Sequence, residues 1–95
     1  MHTMQKLPLD SDVADDAPTT PILTGYDEQH RITYLRLLHA AVDGADWKEV
    51  SRIVLHLDPH REPDRARRAL ETHLARARWM AEHGYRHLLR GGAPH

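Results

Sequence analysis

Pro63-Asp64-Arg65-Ala66-Arg67-Arg68-Ala69-Leu70-Glu71-Thr72-His73-Leu74-Ala75-Arg76-Ala77-Arg78-Trp79-Met80-Ala81-Glu82 is the stretch that decides the fold. Proline suits the first position of a helix, where an N–H has no acceptor to lose and the fixed φ is already helical. Behind it Ala66, Leu70, His73, Leu74, Ala77 and Ala81 recur at three- and four-residue spacing, one apolar stripe running for about five turns until Gly84. The opposite face carries Arg65, Arg68, Thr72, Arg76 and Trp79, with Arg67 and Arg78 on the flank beside Glu71 and Glu82.

Working back from this helix, Asp46 followed by Glu49 has the form of a capping box, and Trp47, Val50, Ile53, Val54 and Leu57 form a buried stripe. The spacing predicts a short helix from Trp47 to about His56. Asp58-Pro59 and the restriction that Pro63 places on its predecessor then make a turn of about seven residues over 56–62. Further back, Ile32, Leu35, Leu38 and Val42 mark one face of a helix from Asp27 to Val42, ended by Gly44 in a left-handed conformation. Tyr34, Leu37 and Ala41 give it a second apolar face, so this helix is either central or partnered. After the long helix, Leu88-Leu89 within Tyr85–Arg90 predicts a short final turn before Gly91-Gly92. The expected class is all-α: a small helix-turn-helix variant with an extended turn, three main helices and a short C-terminal turn. A plain three-helix bundle is the alternative.

The 95 residues hold 13 Lys plus Arg and 14 Asp plus Glu, a net charge of -1, which bounds the chain at one small domain. Hydrophobic residues make up 40% and aromatics 5%, so the core must come from Leu, Ile, Val and Ala, with Trp47 and Trp79 as its largest pieces. The charge is unevenly spread. Residues 1–28 hold Lys6 against Asp10, Asp12, Asp15, Asp16, Asp27 and Glu28, 1 - 6 = -5, whereas residues 29–95 hold 12 basic and 8 acidic residues, +4. Arg accounts for 11 of the 13 basic residues, which favours planar, bidentate contacts to phosphate or carboxylate. Residues 1–25, with Pro8, Pro18, Pro21 and the run Asp10–Ala17, have no helical or alternating period and are expected to be a disordered acidic tail before a domain over 26–92. Such a tail is a solubilising leader or an electrostatic competitor of an anionic ligand.

Several chemistries lack their residues. Without Cys there is no thiolate site or disulfide, consistent with a cytoplasmic protein, and no apolar run is long enough for a membrane span or secretory signal. The pairs His56/His60 and His83/His87 have helical ligand spacing but are interrupted by Pro59 and Gly84 and lack completing ligands. His73 on the apolar stripe reads as a hydrogen-bonded core histidine. Ser51 has no nucleophile elbow around it and there is no glycine-rich phosphate loop, so no enzyme, cofactor, metal site or small-molecule ligand is expected. Arg61, Arg65, Arg68 and Arg76 could neutralise phosphates or read guanine; equally they could be a solvated face with helical pairs such as Arg67 with Glu71. Trp79 on the same projected face reads as covered by folded-back chain.

The stretches Thr33-Tyr34-Leu35-Arg36-Leu37-Leu38, Gly44-Ala45-Asp46-Trp47-Lys48-Glu49-Val50, Arg52-Ile53-Val54-Leu55, His73-Leu74-Ala75-Arg76-Ala77-Arg78-Trp79-Met80 and Gly84-Tyr85-Arg86-His87-Leu88-Leu89-Arg90-Gly91-Gly92 together resemble the domain of unknown function family 2285 of mobile genetic elements. This resemblance implies an extended-turn helix-turn-helix that either binds DNA within an activator of conjugative transfer or, in stand-alone antiactivators of the QseM type, captures the activator's N-terminal domain. With no room for a second domain in residues 1–25 and a near-neutral charge, the resemblance favours the antiactivator, with weak or absent DNA binding and competition as the mechanism. The capture surface is then expected at Tyr34, Leu37, Leu38 and Ala41 with Trp79 and Tyr85, and a DNA-binding regulator using Arg61, Arg65, Arg68 and Arg76 is the alternative.

Overall fold

The computed structural model describes residues 12–83. Among them are four helices and no strand: α1 (Gly25–Gln29), α2 (Arg31–Asp43), α3 (Trp47–Ile53) and α4 (Pro63–Glu82). The all-α, helix-turn-helix-like class is as expected, with α3, a long turn and α4 in that order. The expected C-terminal turn at Tyr85–Arg90 lies outside the described residues.

The helix anticipated from Asp27 to Val42 is two helices. Thr24 and Asp27 form a capping box that starts α1, and the chain bends at His30, whose φ of -107° and ψ of 19° leave helical geometry. His30 fixes this bend with both ring nitrogens, Nδ1 at 2.9 Å from the Tyr26 carbonyl and Nε2 at 2.9 Å from the Asp12 carbonyl. At its other end α2 closes as anticipated at Gly44, with φ 69°. The bonds from Ala45 N–H to Ala40 O (3.0 Å) and from Gly44 N–H to Ala41 O (3.2 Å) complete a Schellman motif.

Which face of α2 turns inward is decided by a polar group. Tyr34 donates its hydroxyl to Asp27 Oδ1 at 2.8 Å inside the fold, and Leu37 follows one turn later into the core. Tyr34 and Leu37 are therefore buried while Val42, assigned to the inner stripe from spacing, is 85% exposed. With apolar residues on both faces, spacing alone could not choose between them.

Asp46 caps α3 by accepting from Lys48 N–H at 3.1 Å. Glu49, the anticipated reciprocal partner, pairs instead with Arg52 at 3.0 Å. This helix ends at Ile53, earlier than expected, because the chain unwinds to bury Leu55, and His56 takes a left-handed φ of 60°. Ile53 is consequently 60% exposed rather than in the core. The connection 54–62 is thus longer than the seven residues anticipated. Asp58 orders its last part by accepting from the N–H groups of His60 (2.9 Å) and Arg61 (3.3 Å). Burial of Leu55 and Leu57 against Val50, Leu37 and Ala69 holds the turn on α4.

Residues 12–24, expected as part of a disordered acidic tail, instead lie across α1, α2 and α4. Val13 joins the core of Leu37, Val50, Leu55 and Ala69, Ala17 N–H donates to Thr72 Oγ1 at 3.1 Å, and Ala14 N–H donates to the Tyr26 hydroxyl at 2.9 Å. The low hydrophobicity of this segment concealed its order, since most of its contacts are through backbone groups. Residues 1–11 lie outside the described residues. The strap also explains why the buried arc of α4 is shifted from the anticipated stripe: Ala66, His73 and Ala77 are buried as expected, but Ala69, Arg76 and Met80 join them, while Leu70, Leu74 and Ala81 are only half-buried.

Candidate nucleic-acid interface

α4 has a structural half and an exposed, basic half. Towards its C-terminal end, Arg76 is buried and closes on Asp27 with Nε to Oδ1 at 3.0 Å and Nη2 to Oδ2 at 2.6 Å. The remaining guanidinium donors reach the carbonyls of Thr20 (2.6 Å) and Ile22 (2.8 Å), and the group stacks 4.0 Å from the Trp79 ring centre. Burial raises the pKa of the Asp27 carboxyl, but the bonds from Arg76, Thr24 and Tyr34 outweigh it and hold the group below its ordinary range. Arg76 is therefore withdrawn from the expected DNA-contacting set: its donors are consumed inside the protein. Projection placed it on the solvent face because no strap was anticipated there.

At the other end, the first two turns of α4 and the turn before it present Arg61, Arg65, Arg67 and Arg68, all exposed. Pro63 at the first helical position stiffens this end, and the Asp58 turn places Arg61 just ahead of it. Arg67 lies 4.8 Å from the Trp47 ring centre and bonds Glu71 at 3.1 Å, so α3 and α4 share this flank. Arg65 and Arg68 occupy the flank towards the strap. Arg65 Nε donates to Asp15 Oδ1 at 2.6 Å and its Nη1 to Glu62 Oε1 at 2.8 Å, and Arg68 Nε donates to Asp16 Oδ1 at 2.6 Å. A guanidinium that holds a carboxylate in this way has the donor geometry to hold a phosphate. The set expected from sequence thus divides: Arg61, Arg65 and Arg68 share an exposed end of the molecule, and Arg67, assigned only a helical pair with Glu71, belongs with them.

The residues expected to form a protein-capture surface do not form one. Tyr34 and Leu37 are inside the core, Leu38 and Trp79 are half-buried against Tyr34, Ala77 and Met80, and Ala41 is exposed on a different part of α2. Tyr85 lies outside the described residues. Trp79 lines a surface cavity together with Pro18 and Thr19 of the N-terminal strap; the folded-back C-terminal segment expected to cover it lies outside the described residues. His73 is the core histidine anticipated, with Nδ1 donating to Ala69 O at 2.7 Å and Nε2 accepting from the Tyr26 hydroxyl at 2.5 Å. Among the described residues no group of three or more His, Cys, Asp or Glu could hold a metal ion, and no helix is long and apolar enough to cross a membrane.

Comparison with known families corrects the functional expectation. Residues 2–90 match the RovC DNA-binding domain family, described as the DNA-binding domain of a T6SS (type VI secretion) transcription factor. The chain belongs to this family. The resemblance to the domain of unknown function family 2285 is thereby overturned, and with it the antiactivator assignment, its conjugative-element setting and a partner limited to an activator protein. Weak or absent DNA binding, inferred from a net charge of -1, conflicts with membership of a DNA-binding family. Net charge averages over the chain, whereas phosphate contacts depend on where the arginines sit. No curated protein matches the chain.

Proposed function

We propose that this chain is the DNA-binding unit of a transcriptional regulator, with α4 as the recognition helix and α3 and the long turn as its support. The observation that carries it is the exposed cluster of Arg61, Arg65, Arg67 and Arg68 at the N-terminal end of α4, the end that enters the major groove in helix-turn-helix proteins. Arg67 projects from the first two turns, the position from which a fork of donors reaches guanine O6 and N7. Arg61, Arg65 and Arg68 flank it as phosphate contacts, which fix register rather than sequence. The family description supports genes of a type VI secretion system as the regulated class.

The test is the affinity of the purified protein for duplex DNA as a function of salt, followed by fluorescence anisotropy. Neutralising a phosphate releases counterions, so log K falls with log salt by about 0.9 per contact. Three arginines on phosphates give a slope of about -3. A salt-independent affinity, or none at low salt, would overturn this function.

A further inference from the structure

Three of the four arginines assigned to DNA, Arg65, Arg67 and Arg68, already hold anions, and these anions belong to the chain itself. Asp15 and Asp16 place their Oδ1 atoms 2.6 Å from the Nε of Arg65 and of Arg68 respectively. Two successive carboxylates of an extended strap thus match two guanidinium groups one helical turn apart, as successive phosphates of a backbone would. Resting on the proposed DNA-binding function, we propose that the Asp15-Asp16 pair is an intramolecular stand-in for DNA phosphates, occupying Arg65 and Arg68 in the free protein and giving way to DNA.

Three features make these carboxylates displaceable rather than structural. First, both pairs are open to solvent: side-chain exposures are 44% and 59% for Arg65 and Asp15, and 67% and 49% for Arg68 and Asp16. Water competes for such pairs and salt screens them. Second, the strap is fixed without them. Val13 is in the core, Asp12 O accepts from His30 at 2.9 Å, Ala17 N–H bonds Thr72 at 3.1 Å, and Thr20 O accepts from Arg76 at 2.6 Å. The two side chains can therefore let go while the backbone beneath them stays. Third, the alternative anchor of the strap, the Arg76–Asp27 contact, is buried and no DNA phosphate reaches it. Binding must then exchange carboxylate for phosphate at Arg65 and Arg68, and the exchange lowers affinity for any duplex that relies on those two residues.

The experiment compares the full-length protein with Asp15→Asn/Asp16→Asn, titrated against a fluorescein-labelled duplex of mixed sequence at low and at near-physiological salt. Asparagine keeps the shape and removes the competing charge. Two exposed pairs correspond to an affinity gain of about tenfold at low salt, shrinking as salt rises. A control, Glu28→Gln/Asp43→Asn, removes the same charge at exposed positions on α1 and α2. The proposal requires a gain in the first variant well above that in the control, and its loss when Arg65→Gln/Arg68→Gln is added. Equal affinity of wild type and Asp15→Asn/Asp16→Asn, or an equal gain in the control, overturns the stand-in while leaving DNA binding intact. Absence of binding by every variant overturns the DNA function itself, and the stand-in with it. Circular dichroism verifies folding; were the double variant to unfold, Asp16→Asn alone carries the same test, with a smaller gain expected and no gain contradicting the proposal.

Discussion

Arg76 on α4 and Asp27 on α1 meet as a two-point contact in the interior, Nε to Oδ1 at 3.0 Å and Nη2 to Oδ2 at 2.6 Å, with side chains 3% and 0% exposed. Every remaining lone pair of the carboxylate is addressed, by Tyr34 hydroxyl at 2.8 Å and by Thr24 N–H and Oγ1 at 3.0 Å each. The contact also holds the strap, through the carbonyls of Thr20 and Ile22.

Removing one partner strands the other without water. Arg76→Ala is expected to cost about 3–5 kcal/mol, since an uncompensated buried charge is far worse than an absent pair. Arg76→Lys is expected to recover little of this loss, because an ammonium cannot bridge both carboxylate oxygens and two carbonyls in one plane. Urea denaturation of the three proteins checks both; a loss below 1 kcal/mol for Arg76→Ala, on the order of an exposed pair, would contradict the structural role.

Gly44 ends α2 at φ 69°, and a Cβ there meets no heavy atom within 4 Å. The penalty of Gly44→Ala is then conformational alone, about 1 kcal/mol. Thermal melts measure it, and a variant as stable as wild type would mean that the left-handed cap is not maintained.

Acid sensitivity should set in before the carboxylates titrate. Burial lowers the pKa of His73 below its ordinary 6.5, helped by His30 and opposed by the bond to Ala69. The folded ring stays neutral where the unfolded ring takes a proton, so its contribution is complete above about pH 6.5 and is lost as pH falls from there through the folded value. Asp27, also lowered, adds a second loss below its ordinary 3.8. Denaturation midpoints at pH 7.5 and pH 5.0 should therefore differ more for wild type than for His73→Gln; equal differences would show that His73 is not the group responsible.

Much of this was legible in the residues, and the failures have physical causes. The long helix from Pro63, the glycine stop at Gly44 and the core position of His73 follow from periodicity and from the few residues able to start or end a helix. The inward face of α2 was not legible, because Tyr34 and Leu37 compete with Leu35, Leu38 and Val42 at equal spacing, and the choice is made by a hydroxyl reaching a carboxylate seven positions earlier. Nor was the strap, whose attachment relies on the carbonyls of Asp12, Thr20 and Ile22 rather than on side chains with a period. Missing the strap moved Arg76 to the surface and left Asp15 and Asp16 without their partners. The candidate site was half legible: arginine type and spacing mark Arg61, Arg65 and Arg68, while the pairing of Arg67 with Trp47 depends on how α3 packs against α4.

The central claim is that the exposed N-terminal end of α4 meets the DNA backbone and grooves. It is tested most directly by the salt slope of duplex binding for Arg68→Gln beside Arg36→Gln, an exposed arginine on α2. The account predicts a slope shallower by about one unit for Arg68→Gln and unchanged for Arg36→Gln. Identical slopes for wild type and both variants would contradict it.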